Sequence, residues 1–280
     1  NMILKIKKKN IPLVLLNARI TKKSFKKWKK ILSFSKKIFN EFDLCLGQND
    51  KTCNYLKILG AKNIRKIGNL KFSQSKLELK NKSNPRIKKF LINKKIMFSA
   101  ISTHSGEELL CGKVHSNLKK KYKNIISIII PRHIHRAHEI KEELNSNGLK
   151  VHLHSSNRPM NKDTDIYLVD TFGETKAFLR LSKTAFMGKS IHAFGGQNPL
   201  EAARLGNRII HGPNIENFVE VYDFLKKHGI SSKINSYNDL KNLVVKFERK
   251  KNNSQQIIKK LTYTGNQILI NNEKEINKYF

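Results

Sequence analysis

The sequence predicts an α/β protein built on parallel sheets with helices packed on their faces, and three observations carry that expectation. Apolar runs of strand length alternate with helical stretches along most of the 280 residues. Hydrophobic residues make up 39% of the chain, enough at this length for one large core or two smaller ones. No run approaches the roughly 20 apolar residues that a membrane-spanning helix needs.

The elements follow in order. Ile11-Pro12-Leu13-Val14-Leu15-Leu16 reads as a buried strand. From Thr21 to about Phe42 the pattern is helical, with Phe25, Trp28, Leu32, Ser35 and Phe39 recurring on one side and lysines elsewhere. Leu44-Cys45-Leu46, a helix through Leu56 and Leu59, and Ile64-Arg65-Lys66-Ile67 complete a strand–helix–strand unit. Between Asn69 and about Arg86 the pattern dissolves into Lys, Ser and Asn, which marks a domain boundary. The expected division is a first α/β domain over 1–72, a linker over 73–90, and a second domain over 91–280 that includes the terminal helices.

In the second domain strands are expected at Ile96–Ile101, Ile125–Ile130, Val151–Leu153, Ile166–Val169, Thr184–Met187 and Arg208–Ile210. Helices are expected at Gly106–Lys121, Ala137–Asn145, from Glu174, from Pro199 to Leu205, and from Asn217, Asp239 and Ser254. In a parallel sheet of this kind ligands sit beyond the carboxyl ends of the strands. No G-x-G-x-x-G and no G-x-x-x-x-G-K-[ST] occurs, so dinucleotide oxidoreductases and P-loop NTPases lose their main support.

Fifty-six Lys and Arg stand against 21 Asp and Glu, a formal net charge of +35. The lysines are scattered over nearly every polar stretch, as a compositional bias would scatter them. Most of the 15 Phe read as core, so the interleaved aromatics that a single-strand nucleic-acid groove uses are not evident, and no nucleic acid is expected as a partner. The lysine-rich helical stretch near Trp28 keeps an anionic membrane surface in view. The three cysteines form no C-x-x-C pair, which suits a reducing compartment. An opening Asn1 in place of Met is expected of a piece of a longer chain.

Four segments fall where a strand-end site should be. Pro131-Arg132-His133 directly follows an apolar strand, and arginine there offers a planar fork for phosphate or a base edge. His133, His135 and His138 form a string, but no carboxylate cluster accompanies it and no metal or cofactor is expected. Asp170-Thr171-Phe172-Gly173-Glu174 opens a helix past another strand; Gly173 lets backbone approach a ligand, although a plain helix cap is the competing reading. Gly195-Gly196-Gln197-Asn198-Pro199-Leu200-Glu201 joins a free loop to a helix start, with Glu201 one turn in and able to accept hydrogen bonds from a ribose diol. Gly212-Pro213-Asn214 follows the next strand.

Taken in order, these segments resemble the Kdo (3-deoxy-D-manno-octulosonate) transferases of lipopolysaccharide synthesis. The resemblance rests on Asn17-Ala18-Arg19, Gly68-Asn69-Leu70-Lys71-Phe72, Ser102-Thr103-His104 with Gly106-Glu107-Glu108, and Pro131-Arg132-His133. Asp170–Glu174, Gly195–Ala203, Gly212-Pro213 and Asn217-Phe218 continue it, so it runs from about Pro12 to Phe218. Phe172 stands where the family usually has Met and Gln197 where it usually has His; neither change removes a backbone contact.

The resemblance implies the GT-B architecture of two Rossmann-like domains, here with the first incomplete. It implies an inverting, metal-independent transfer of Kdo from CMP-Kdo to a lipid A precursor, at the cytoplasmic face of the inner membrane as a peripheral membrane protein. By the same resemblance Pro131, Arg132, Phe172, Gly173, Glu174, Asn198, Pro199, Leu200 and Glu201 form the CMP site. The family's general base is a glutamate that would lie upstream of Asn1, and neither Glu41 nor Glu107 nor Glu108 matches it. Another GT-B transferase with a different sugar nucleotide, or a non-catalytic basic nucleic-acid-binding module, are the alternatives.

Overall fold

The computed structural model describes residues 2–73, 91, 94–249 and 254–279. The chain forms two compact units, Asn1–Leu77 with Lys259–Phe280, and Glu78–Ile258. The expected linker at 73–90 lies, past residue 73, outside the described residues.

The first unit holds a parallel sheet of three strands, β1 (Val14–Ala18), β2 (Leu44–Gly47) and β3 (Ile64–Lys66), in the order β1-β2-β3. Its core gathers Ala18, Phe39, Cys45, Leu56, Leu59 and Ala61, with Phe25, Trp28 and Leu32 packed against them. The apolar side expected between Phe25 and Phe39 therefore faces inward, but the single helix expected there is two, Lys22–Lys30 and Leu32–Phe39. Ile31 leaves the helical region at φ −118°, ψ 47°. The Ser35 hydroxyl donates to the carbonyls of Trp28 at 2.7 Å and Ile31 at 3.0 Å, adding a side-chain link across the break.

Asn17, at φ +53°, closes β1. Its side-chain oxygen accepts from Gln48 Nε2 at 2.8 Å and from the Leu70 N–H at 3.1 Å, so the Asn17 and Gly68–Leu70 segments meet at one strand end.

The second unit is a seven-stranded parallel sheet in the order β10-β9-β8-β4-β5-β7-β6. The strands are β4 (Lys95–Thr103), β5 (Ile125–Pro131), β6 (Val151–Leu153), β7 (Ile166–Leu168), β8 (Thr184–Met187), β9 (Arg208–His211) and β10 (Ser231–Lys233). Every residue of β5 is buried, which the helices on both faces account for. From β4 the chain builds outward through β5 to one edge, then returns to β8 on the other side of β4, so the topology switches there. β10 was not expected; Ser231-Ser232-Lys233 has no apolar run and joins the sheet as an edge by pairing with β9.

At the amino edge of this sheet Asp165 is buried among polar partners. Its carboxylate receives the Lys119 ammonium at 2.6 Å and the Lys150 N–H at 3.0 Å, with His115 Nε2 at 3.5 Å. His115 in turn meets the Ser127 hydroxyl at 2.9 Å. This order of Ser, His and Asp is a buried structural bridge, far along the strands from the carboxyl edge.

The second domain was expected to keep both terminal helices. The units divide otherwise: the later turns of Ser254–Ile276 belong to the first unit. Gly265 explains the fit, because a Cβ there would collide with the Phe72 carbonyl oxygen. Tyr279 adds a hydrogen bond to Asn63 and donates to the Asp43 carbonyl at 3.2 Å.

Candidate functional site at the strand carboxyl edge

Because all seven strands run the same way, the loops after β4, β5, β7, β8 and β9 emerge on one edge. Pro131 ends β5 and is buried; Arg132 follows it into solvent, anchored by its backbone N–H to the Thr103 carbonyl at 3.0 Å. The Arg132 guanidinium has no ion-pair partner among the described residues. Past β7, Phe172 is 79% exposed. Gly173 holds φ +86° with nothing within 4 Å of an added Cβ, so backbone conformation and not space demands glycine there. Glu174 caps the helix Thr175–Leu179. Asp170 accepts the Ser155 N–H at 2.8 Å, which commits this carboxylate to the fold.

Past β8 the loop reaches Gly195, whose N–H donates to Glu216 at 2.7 Å and whose carbonyl accepts from the Asn217 N–H at 3.1 Å. Gly196 at φ +66° lies against Asn214. Asn198 Oδ1 accepts the Leu200 N–H at 3.1 Å, a turn that starts the helix Leu200–Arg204 with Pro199 as its cap. That helix has only five residues, so its macrodipole is small. Glu201 projects from its first turn, half-exposed, 3.6 Å from Lys176 of the neighbouring helix. The pair links the short helices that follow β7 and β8.

Sequence reasoning did not find the group that organises this edge. Glu107, fully buried at the start of the helix Glu107–Lys119, accepts four backbone N–H groups: His104 at 2.9 Å, Lys189 at 2.8 Å, Ser190 at 2.9 Å and Ile191 at 3.0 Å. Ser190 then receives the Gly212 N–H on its hydroxyl at 2.8 Å and the Asn214 N–H on its carbonyl at 2.9 Å. One carboxylate thus ties together the ends of β4, β8 and β9. The Gly106-Glu107-Glu108 motif was the available signal, but its partners lie more than 80 residues on. Burial raises the Glu108 carboxyl, against the pull of Arg136 at 3.4 Å. Both glutamates are fully buried. His138 lies on the helix Ala137–Ser146, and among the described residues no group of three His, Cys, Asp or Glu is set to hold a metal ion.

Two Rossmann-like units in succession, with the terminal helix returned to the first, define the GT-B glycosyltransferase fold, and solved structures agree. The C-terminal CMP-Kdo binding domain of WaaA from Acinetobacter baumannii superposes with a TM-score of 0.55 at 22% identity, covering 66% of this chain and 93% of that domain. An α,α-trehalose 6-phosphate synthase from Burkholderia multivorans gives a TM-score of 0.52 at 10% identity over 96% of this chain and 63% of its own.

The sequence profile of the 3-deoxy-D-manno-octulosonic-acid transferases (kdotransferases) matches residues 1–74. The 3-deoxy-D-manno-octulosonic acid transferase of Rickettsia bellii is 30% identical over 271 residues, 97% of this chain and 64% of that protein. The chain is similar to this transferase family over most of its length. It spans about half to two thirds of the length of the curated relatives it matches, 49% for the Rickettsia felis protein.

Proposed function

We propose that this chain supplies the donor-binding part of a transferase that moves Kdo from CMP-Kdo to a lipid A precursor. The observation that supports the reading is that Arg132, Glu174, Asn198 and Glu201 all stand on or beside loops leaving the same edge of one parallel sheet, with Glu107 tying the ends of β4 and β8 there. Support also comes from the likeness to a CMP-Kdo binding domain.

In this reading Glu201 accepts from the ribose hydroxyls and Arg132 faces the single phosphate. The acceptor hydroxyl attacks the anomeric carbon from the face opposite CMP. The new C–O bond forms as the bond to the phosphate oxygen breaks, CMP leaves with the electron pair, and configuration inverts. One phosphate needs no divalent ion when a guanidinium faces it. The hydroxyl proton needs a base, which these loops do not provide.

The partner surface is an anionic membrane at the cytoplasmic face of the inner membrane. Eight exposed lysines on Lys22–Lys30 and Leu32–Phe39 flank Ile31 and Phe34, which are 50% and 52% exposed. Cations around two exposed apolar side chains suit an anionic lipid interface.

Calorimetry with CMP tests the donor reading. Glu201→Ala should weaken CMP binding about 10- to 150-fold, the worth of a charge-assisted hydrogen bond. Unchanged affinity removes Glu201 from the site. The 280-residue chain should bind CMP and carry out no Kdo transfer by itself; robust transfer would place the base within it.

A further inference from the structure

One cluster at the carboxyl edge is left unused by this reading. The His104 and His133 rings stand 5.5 Å apart, and His133 and His135 5.6 Å apart. His192 extends the group, its ring lying over Gly106, where a Cβ would sit 3.0 Å from its Cδ2. Four imidazoles thus border the ends of β4, β5 and β8, where the sheet topology switches. Backbone strain collects at the same place. Ser102 at φ +54° and Lys189 at φ +57° end adjacent strands in a conformation that side-chain-bearing residues seldom adopt.

Charge around the cluster is unbalanced. A slight desolvation and then the charges of His104, His135, Arg132 and Arg136 hold His133 below the usual histidine value. Arg136 is offset by Glu139, but His104, His135 and Arg132 have no carboxylate partner among the described residues. Glu107 is filled by four backbone N–H groups, Glu108 is buried and raised, and Glu139 is taken by Arg136 at 3.2 Å. His104 Nδ1 lies 3.1 Å from the Ser102 carbonyl oxygen, which can only accept. Nδ1 therefore carries the proton, and Nε2 becomes a second donor once the ring is protonated.

An anion would complement this arrangement of donors and charge. We infer that His104, His133 and His135 form a subsite for the carboxylate of the donor's sugar acid, separate from the phosphate. The inference rests on the proposed donor reading: an octulosonic acid carries a carboxylate that a neutral hexose lacks. His133, disfavoured as a cation by its cationic neighbours, gains most as a protonated donor when that carboxylate arrives. The subsite therefore distinguishes ulosonic acid donors from other sugars by charge.

Histidine-ring NMR on the whole chain, saturated with CMP, tests this with two probes, free Kdo and its C1 amide. Kdo should shift the His104, His133 and His135 resonances, raise the His133 pKa, and bind more tightly as pH falls through the histidine range; the amide should do none of these. His133→Gln with His135→Gln should weaken Kdo binding at least about 10-fold while CMP affinity stays within about twofold. Equal responses to Kdo and amide, shifts produced by inorganic phosphate but not by Kdo, or capture of the same rings by micromolar zinc without a response to Kdo would overturn it. If CMP fails to bind while Kdo still moves these rings, the nucleotide reading falls and the carboxylate subsite stands.

Discussion

Glu107 carries more of the site than any residue that would touch a ligand. Both of its oxygens accept two N–H groups, so replacing one oxygen by an amide nitrogen turns two attractions into donor–donor conflicts. Glu107→Gln should cost about 2–4 kcal/mol in denaturant unfolding and loosen the turn at 189–191. A loss below about 0.5 kcal/mol would show that the loops hold without it. Asp165 makes a second prediction. Burial alone would raise its carboxyl, but His115, Lys119 and the Lys150 N–H prevail and hold it well below the ordinary value. A depressed carboxyl contributes stability that is present above its unfolded value of 3.8 and is lost as pH falls below that toward its folded value. Asp165→Asn should therefore lower stability at neutral pH and flatten the acid limb of a stability-versus-pH profile; a parallel profile would dismiss the bridge. These two residues also mark how far the sequence could be read. Glycines, prolines and Glu201 announce a strand-end loop by their local spacing. A carboxylate serving backbone amides 80 residues away has no side-chain partner to signal it.

At the scale of elements, the alternation of strand and helix was legible because each buried strand is a dense apolar run. Ile125–Pro131 is the strongest case. The failures have local causes. One amphipathic face runs from Phe25 to Phe39, and periodicity alone could not reveal a break at Ile31 that the Ser35 hydroxyl spans from four residues on. Ser231–Lys233 has no apolar signal because its pairing with β9 supplies the order. The break matters for the lipid reading, since it presents Ile31 and Phe34 to solvent among lysines. Co-sedimentation with vesicles should rise with anionic lipid, fall with salt, and drop when Lys26, Lys27, Lys29 and Lys30 are changed to Glu. Equal binding to neutral vesicles would refute an electrostatic contribution.

For the whole molecule, composition could not assign the last helix, which is shared between two compact units. Its return to the first unit depends on Gly265 against Phe72 and on Ile268 beside Gly68, 3.1 Å from where a Cβ would stand. None of this shows in a local pattern, because Gly265 reads as an ordinary helix defect. Gly265→Leu should force the helix away from the Leu70–Ser73 turn. The expected cost is about 1–3 kcal/mol, with the unfolding of the first unit shifted and CMP affinity in the second unchanged. An unshifted transition would mean that this contact contributes little.

That return also fixes an order of events on the ribosome. Residues 78–258 are synthesised before Lys259–Phe280, so the second unit has all of its sequence while the first still lacks its closing helix. Domains commonly mature in the order they are made, the amino-terminal one first. Here the amino-terminal unit is the later one to be completed, and its three-stranded sheet waits, partly uncovered, through the synthesis of its neighbour. The interval in which a nascent chain most needs a chaperone thus falls on the half that was translated first.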